Sequence, residues 1–214
     1  MKIKNLFFDL DGTLTDSSIG IVNCATHALN HFNLPIPPRS ELYSFIGPPL
    51  RVTFPKFGVL QDKVEEAVKV YRERYYTIGK FENEPYKDIS DLLECLKNSG
   101  YKLYVATSKT EDLTFEILEK FDLLKYFDIV AGATIDGKRD SKESVINYLI
   151  SKIENFDDAY MIGDTKYDII GANQCNIKSI AVGWGFGDKQ EMLDLGAEYL
   201  AETVNDLKNY LIND

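Results

Sequence analysis

The sequence predicts an α/β fold: a Rossmann-like, doubly wound parallel sheet with an all-helical domain inserted after its first strand. Three observations carry the prediction. A short apolar segment at the N-terminus stops at Asp9, the stretch 15–84 reads as helix almost throughout, and helical and strand patterns alternate strictly from Pro85 onward. Such alternation implies parallel strands joined by helices that cover both faces of the sheet. A lone N-terminal strand cannot bury itself, so it belongs with the later strands and the helical stretch is an insertion. The expected domains are 1–14 with 85–214, and 15–84, within a chain of 214 residues.

Residues 2–8 read as a buried strand. Asp16–Ser18 supplies N-cap residues for a helix over Ile19–Phe32, which Pro35, Pro37 and Pro38 end. A short helical stretch covers Arg39–Phe45, and Ile46-Gly47-Pro48-Pro49-Leu50 is a loop, since its prolines exclude a helix interior. Within Gln61–Ile78, residues Val64, Ala67, Val68, Tyr71 and Tyr75 recur at helical spacing between charges, the pattern of an amphipathic helix. Beyond Pro85 come a helix over Ile89–Asn98 closed by Gly100, a strand Lys102–Ala106, a helix Glu111–Phe121 and a strand Asp128–Ala131. Ser141 caps a helix to Lys152. A strand Ala159–Ile162, a helix Tyr167–Cys175 and a strand Ser179–Val182 follow, and two short α-type segments complete the pattern.

Composition narrows the function classes. The formal charge of −10 argues against a nucleic-acid polymer as partner. Residues 15–84 hold eight basic and eight acidic side chains, which leaves 16 basic and 26 acidic elsewhere, so the inserted segment differs in charge character from the rest. No apolar run approaches the roughly 20 residues a membrane span needs, and Leu6–Phe8 is too short for the core of an export signal. Cys24, Cys95 and Cys175 are scattered without CxxC spacing, as expected of buried small residues in a reducing cytoplasm.

In open parallel sheets, ligands gather outside the carboxyl ends of the strands. The first strand ends in Asp9-Leu10-Asp11-Gly12-Thr13, the second in Thr107-Ser108-Lys109, and the fourth in Gly163-Asp164-Thr165 with Asp168 one helical turn on. Lys142 starts the helix before that fourth strand. Carboxylates so close repel one another unless a cation sits among them. Oxygen donors without His or Cys favour a hard divalent ion, Mg²⁺ by default. Mg²⁺ and Lys142 would offset the repulsion between an attacking carboxylate and a phosphate. Asp9 can then attack phosphorus, and Asp11 can protonate the leaving oxygen and later activate water. Gly12 permits a tight turn, and Thr107 can donate to the transferring group.

Together, DLDGT at 9–13, Thr107 after its strand, Lys142, and GDxxxD at 163–168 resemble the four motifs of the haloacid-dehalogenase-like phosphatases. The resemblance covers the whole chain, and the insertion is similar to the helical cap of one subgroup. PYKDISDLLECLKNSGYKLYVATSK at 85–109 and GWGFG at 183–187 read like the phosphoglycolate phosphatase group. FIGPPL at 45–50 and IDGKRDSK at 135–142 look more like a bacterial branch described as 5′-nucleotidases. Asp140-Ser141-Lys142 lacks the Lys-Pro-x-Pro often found around the third motif. The resemblance implies a phosphatase of small phosphorylated metabolites; the cysteine pattern points to the cytoplasm, and the neutral insertion permits a homodimer as well as a monomer. The resemblance also implies Asp9 as nucleophile, Asp11 as acid and base, and Mg²⁺ on Asp9, the Asp11 carbonyl and Asp164. Asp168 would hold the metal's waters or Lys142. Gly12, Thr13, Ser108 and Arg51 complete the expected substrate contacts.

Several residues admit a second reading. Thr107 and Ser108 compete for the hydroxyl role, and Lys109 is read as solvated. Arg51 either binds a second anionic group of the substrate or forms a surface ion pair. His27 and His31 have zinc spacing but no third ligand and read as surface or core histidines. Gly183-x-Gly185-x-Gly187 follows a late strand and lacks an acidic partner, which makes it a loop bordering the site and not a dinucleotide fingerprint. Tyr71, Tyr75 and Tyr76 read as packing surface. A receiver-type signalling domain and a phosphomutase share parts of the acidic pocket and stand as alternatives.

Overall fold

The computed structural model describes residues 4–154 and 156–213. It divides into two compact units, Met1–Thr15 with Pro85–Asp214, and Asp16–Glu84. In the second of these, the main helices are α1 (Ser18–His31) and α4 (Val64–Thr77), with α2 (Arg39–Leu42) and α3 (Leu50–Thr53) between them. The apolar stripe of α4 is buried as its spacing requires, with Tyr71 and Tyr75 stacked at 5.6 Å. Arg74 grips Glu82 through two nitrogens at 2.7 and 2.9 Å, and Asn23 donates to the same carboxylate, which ties α1 and α4 to the segment that leaves the unit.

The strands in chain order are β1 (Asn5–Phe8), β2 (Thr15–Asp16), β3 (Glu84–Pro85), β4 (Lys102–Thr110), β5 (Ile129–Ala133), β6 (Ala159–Gly163), β7 (Lys178–Val182) and β8 (Tyr199–Ala201). β2 and β3 form a small sheet of their own where the chain passes between units. The other six pair in the order β5-β4-β1-β6-β7-β8, and every pairing is parallel. Successive side chains of a strand point to opposite faces. Leu6 and Phe8 therefore join Leu103, Val105, Ile162 and Ile180 under α5 (Ile89–Asn98), α6 (Glu111–Lys120) and α10 (Val204–Asn213). Phe7 joins Tyr104, Ala131 and Met161 under α7 (Lys142–Ile150) and α8 (Lys166–Gln174). Each such large apolar side chain contributes about 1.5–3 kcal/mol on burial. A doubly wound sheet with an inserted helical segment is what the alternation required.

Most element ends fall within two residues of expectation, and Ser141 caps α7 by accepting from the Ser144 amide at 3.1 Å. Three points differ. β4 runs on to Thr110 instead of stopping at Ala106, because its pairing with β5 slips from Ala106↔Ala131 to Thr110↔Ala133. The final segment contains α9 (Lys189–Asp194), the missed edge strand β8 and α10. Three residues are too few to show an alternation, so β8 carries no pattern to read. Of the cysteines, Cys24 is buried while Cys95 and Cys175 are only partly so. No described helix is long and apolar enough to cross a membrane.

Candidate active site

The strand order reverses beside β1, and that reversal opens a crevice at the carboxyl ends of β1, β4 and β6. Register sets what meets there. Phe8 pairs with both Val105 and Ile162, so Asp9, Ala106 and Gly163 follow at one level, and the Asp9 amide donates to the Ile162 carbonyl at 2.9 Å. The chain then turns sharply, with Leu14 and Thr15 amides both returning to the Leu10 carbonyl. Gly12 is required twice over: its φ is 84°, and a Cβ there would lie 2.1 Å from Oδ2 of Asp164.

Asp9, Asp164 and Asp168 bring carboxylate oxygens within 4.8 Å of one another, and no other metal-competent group occurs among the described residues. Asp164 has no exposed surface; Thr13 Oγ1 donates to its Oδ1 at 3.3 Å and the Phe186 amide to its Oδ2 at 2.9 Å. Asp168 closes a capping box at the start of α8, where its Oδ2 accepts from the Thr165 amide and hydroxyl at 3.0 and 2.9 Å. Lys142, the first residue of α7, points its ammonium at Asp168 Oδ1 (2.7 Å), Asp9 Oδ1 (2.9 Å) and the Ala106 carbonyl (3.0 Å). All three ammonium donors are thus engaged.

Burial, then the charges of Asp168 and Asp9, lift the Asp164 carboxyl well above the usual range. Burial pushes Asp168 up to about 6, against the pull of Lys142 and with a further push from Asp9. For Lys142 burial acts downward, but Asp168 and Asp9 outweigh it and hold the ammonium above an ordinary lysine. Three buried carboxylates thus face one ammonium. An all-oxygen donor set with surplus negative charge fits a hard divalent cation. Asp9, Asp164 and Asp168 are the side chains whose oxygens lie close enough together to share one.

Thr107 is buried and its Oγ1 accepts from the Lys109 amide at 3.3 Å, whereas Ser108 is exposed. Lys109 is not solvated: its side chain is only 8% exposed and its ammonium sits 2.9 Å from Asp11 Oδ2. Sequence reasoning missed it because the strand was ended too early; β4 in fact runs through Lys109 to Thr110. Oδ1 of Asp11 is buried without a hydrogen-bond partner.

The GWGFG loop after β7 borders this site. Besides the Phe186 contact, the Gly187 amide donates to the Asp164 carbonyl at 3.1 Å and Trp184 Nε1 to the Thr13 carbonyl at 3.1 Å. The Phe186 contribution is a main-chain amide, which no side-chain pattern announces. Arg51, in the helical unit, binds Glu65 through Nε and Nη2 at 2.5 and 2.9 Å. In the same unit His31 pairs with Glu66 at 3.3 Å and His27 is exposed.

Residues 6–182 match the family model of haloacid dehalogenase-like hydrolases. A 5′-nucleotidase of Pseudomonas aeruginosa is 38% identical over 194 residues, 90% of this chain and 88% of that protein. The tyrosine-protein kinase PtkA of Mycobacterium tuberculosis is 36% identical over 96% of this chain and 72% of its own length. The crystal structure of a predicted phosphatase from Clostridium acetobutylicum superposes with a TM-score of 0.93 at 40% identity and covers 100% of both chains.

Proposed function

This chain is a phosphatase of the haloacid dehalogenase-like hydrolase family, and on that premise we propose that it cleaves small phosphate monoesters through an aspartyl phosphate on Asp9, with Mg²⁺ as cofactor. One observation carries the reading. Asp9 emerges from the central strand beside a buried ammonium and two buried carboxylates, with a second carboxylate, Asp11, two residues on. Asp9, Asp164 and the main-chain carbonyl of Asp11 are the groups that would hold Mg²⁺. When bound, the ion supplies positive charge that lets an anionic phosphate approach an anionic side chain.

Leu10 and Lys142 both engage Oδ1 of Asp9, which fixes the carboxylate's orientation and leaves Oδ2 to attack phosphorus. The new P–O bond forms as the ester P–O bond breaks, and Asp11 passes its proton to the departing alkoxide. Asp11, now ionised, takes a proton from water, whose oxygen attacks phosphorus and cleaves the acyl phosphate. Inorganic phosphate leaves and Asp9 is restored. Lys142 and the Thr107 hydroxyl meet the charge that develops on the phosphoryl oxygens.

For the substrate, the motif likeness at 85–109 and 183–187 supports a small acid such as phosphoglycolate. A nucleoside monophosphate is the second reading, supported by IDGKRDSK at 135–142 and by the 38% identity to a 5′-nucleotidase. Phosphate release from a panel holding both classes, with Mg²⁺ and with EDTA, separates them. Release that EDTA stops, and that Asp9→Asn abolishes, is expected. Turnover without an acid-labile adduct on Asp9 would remove the covalent step. Offering ATP and a tyrosine peptide in the same panel tests a kinase activity, since phosphopeptide in place of free phosphate would replace the hydrolase reading.

A further inference from the structure

Outside the carboxylate cluster, a partly buried ion pair, with the Glu111 side chain 34% exposed, joins the start of α6 and β5 to the segment that leads into α7. The Arg139 side chain is 14% exposed and its Nη2 lies 2.6 Å from Glu111 Oε2. Its Nε donates to the Gly132 carbonyl at 2.7 Å, and its guanidinium carbon sits 3.7 Å above the ring of Tyr148. Glu111 Oε2 also accepts from the Gly132 amide at 3.3 Å. The turn that carries Arg139 is closed on itself: the Thr134 amide donates to the Arg139 carbonyl at 2.8 Å, and the Arg139 amide donates to Thr134 Oγ1 at 3.1 Å.

Each contact has a place in the site's framework. Glu111 opens α6 directly after Thr110, the last residue of the strand that bears Thr107 and Lys109. Gly132 belongs to β5, and Tyr148 to α7, whose first residue is Lys142. A planar guanidinium can bond a carboxylate and a carbonyl while lying on an aromatic face. The segment before Lys142, Asp140-Ser141, has no proline to stiffen it.

Resting on the proposed function of Lys142, we propose that Arg139 and Glu111 form a positioning pair that fixes the start of α7 and so holds the Lys142 ammonium against Asp9 and Asp168. Neither residue is among those assigned to the phosphate or the metal. Loosening it lets Lys142 drift, and a displacement near 1 Å costs on the order of 100-fold in rate.

The test uses Arg139→Ala, Lys142→Ala and the double variant of the full chain. Inorganic phosphate affinity in the presence of Mg²⁺ is measured by calorimetry, a readout that survives loss of turnover. Arg139→Ala should weaken phosphate and lower kcat for p-nitrophenyl phosphate by roughly 10- to 100-fold, and added guanidinium should restore part of the loss. In the Lys142→Ala background the same change should cost nothing further, because the group it positions is gone. An equal loss of phosphate affinity in both backgrounds, or unchanged kcat and phosphate affinity in Arg139→Ala, overturns the proposal. Should Arg139→Ala fail to fold, Glu111→Gln, which keeps shape and removes the charge, carries the same comparison. A wild-type enzyme that released no phosphate from any monoester would strike the underlying reading instead, so the two failures are distinct.

Discussion

Gly185→Ala should disable this enzyme without unfolding it. A Cβ on Gly185 would stand 2.3 Å from Cβ of Asp164, 2.4 Å from its Oδ2 and 2.5 Å from the Gly12 carbonyl oxygen. Carbon atoms in contact settle at about 3.5 Å or more, so Asp164 or the loop must retreat by roughly 1 Å. Gly185 does not sit in the left-handed region, so alanine meets no backbone strain there and the effect is steric alone. Asp164 is fixed by Thr13 and the Phe186 amide, and the added methyl pushes against both. A misplacement of this size in a reacting constellation costs on the order of 100-fold. The assay is kcat/KM for p-nitrophenyl phosphate across a Mg²⁺ titration, together with Mg²⁺ affinity by calorimetry. Both should fall in Gly185→Ala. Gly183→Ala is the control within the same loop, since the nearest atoms its Cβ would meet are the ends of the Glu202 and Lys189 side chains, both of which are solvent-facing and able to move. Activity of Gly185→Ala within roughly threefold of wild type would refute the claim that this glycine holds room for Asp164.

Asp11→Asn should slow alkyl phosphates far more than p-nitrophenyl phosphate, whose leaving group needs no proton; equal losses on the two substrates would count against its acid role. Lys109→Met should remove the ammonium 2.9 Å from Asp11 Oδ2 and so change the ratio of kcat for alkyl phosphates to kcat for p-nitrophenyl phosphate with little change in Mg²⁺ affinity, and a ratio matching wild type would exclude it from the site. Asp168 titrates at about 6 when folded and at its ordinary 3.8 when unfolded, so between those values the folded chain binds the additional proton and metal-free stability falls as pH rises. A bound cation relieves that repulsion and needs ionised carboxylates, so the rise in Tm on adding Mg²⁺ should grow from about pH 5 to about pH 7.5, and a shift independent of pH would contradict the charge assignment.

The sequence made the fold legible wherever a period lasted long enough to count. α4 showed its stripe over four turns, and the strands around Leu103, Val105 and Met161 showed buried runs between clear helices. β8 was hidden because a three-residue edge strand has no period, and the end of β4 because Thr107-Ser108-Lys109 looks like loop chemistry while remaining extended. The same split runs through the site. Asp9, Asp11, Asp164 and Lys142 announce themselves because their side chains carry charge at strand and helix ends. Lys109 stayed hidden behind the misjudged strand end. The Phe186 amide and the space beside Gly185 stayed hidden because one is backbone and the other is the absence of an atom. Arg139 reads as any charged residue in a polar loop until Tyr148 and Glu111 are brought beside it.

Exposure separates the groups that hold from the groups proposed to react. Asp164 and Asp168 are wholly buried and Lys142 nearly so; Thr13 and the Phe186 amide hold Asp164, Thr165 of its own helix cap and the Lys142 ammonium hold Asp168, and the Ala106 carbonyl holds Lys142. Such groups cannot change partners without leaving a buried charge unpaired, a penalty of several kcal/mol. They act as fixed charges, already oriented before any ligand arrives. Asp9 and Asp11 keep 12% and 16% of their side chains open, enough to admit a reacting atom. Catalysis by preorganisation needs both kinds, because a fixed charge lowers the barrier only if it need not reorient as the reaction proceeds. The surplus negative charge of the buried set then makes the division conditional. With protons on both Asp164 and Asp168 the cluster is electrically quiet and Asp9 has little to balance an incoming phosphate. On the proposed reading a divalent cation in their place would restore the balance, and metal binding would then be coupled to the approach of the substrate.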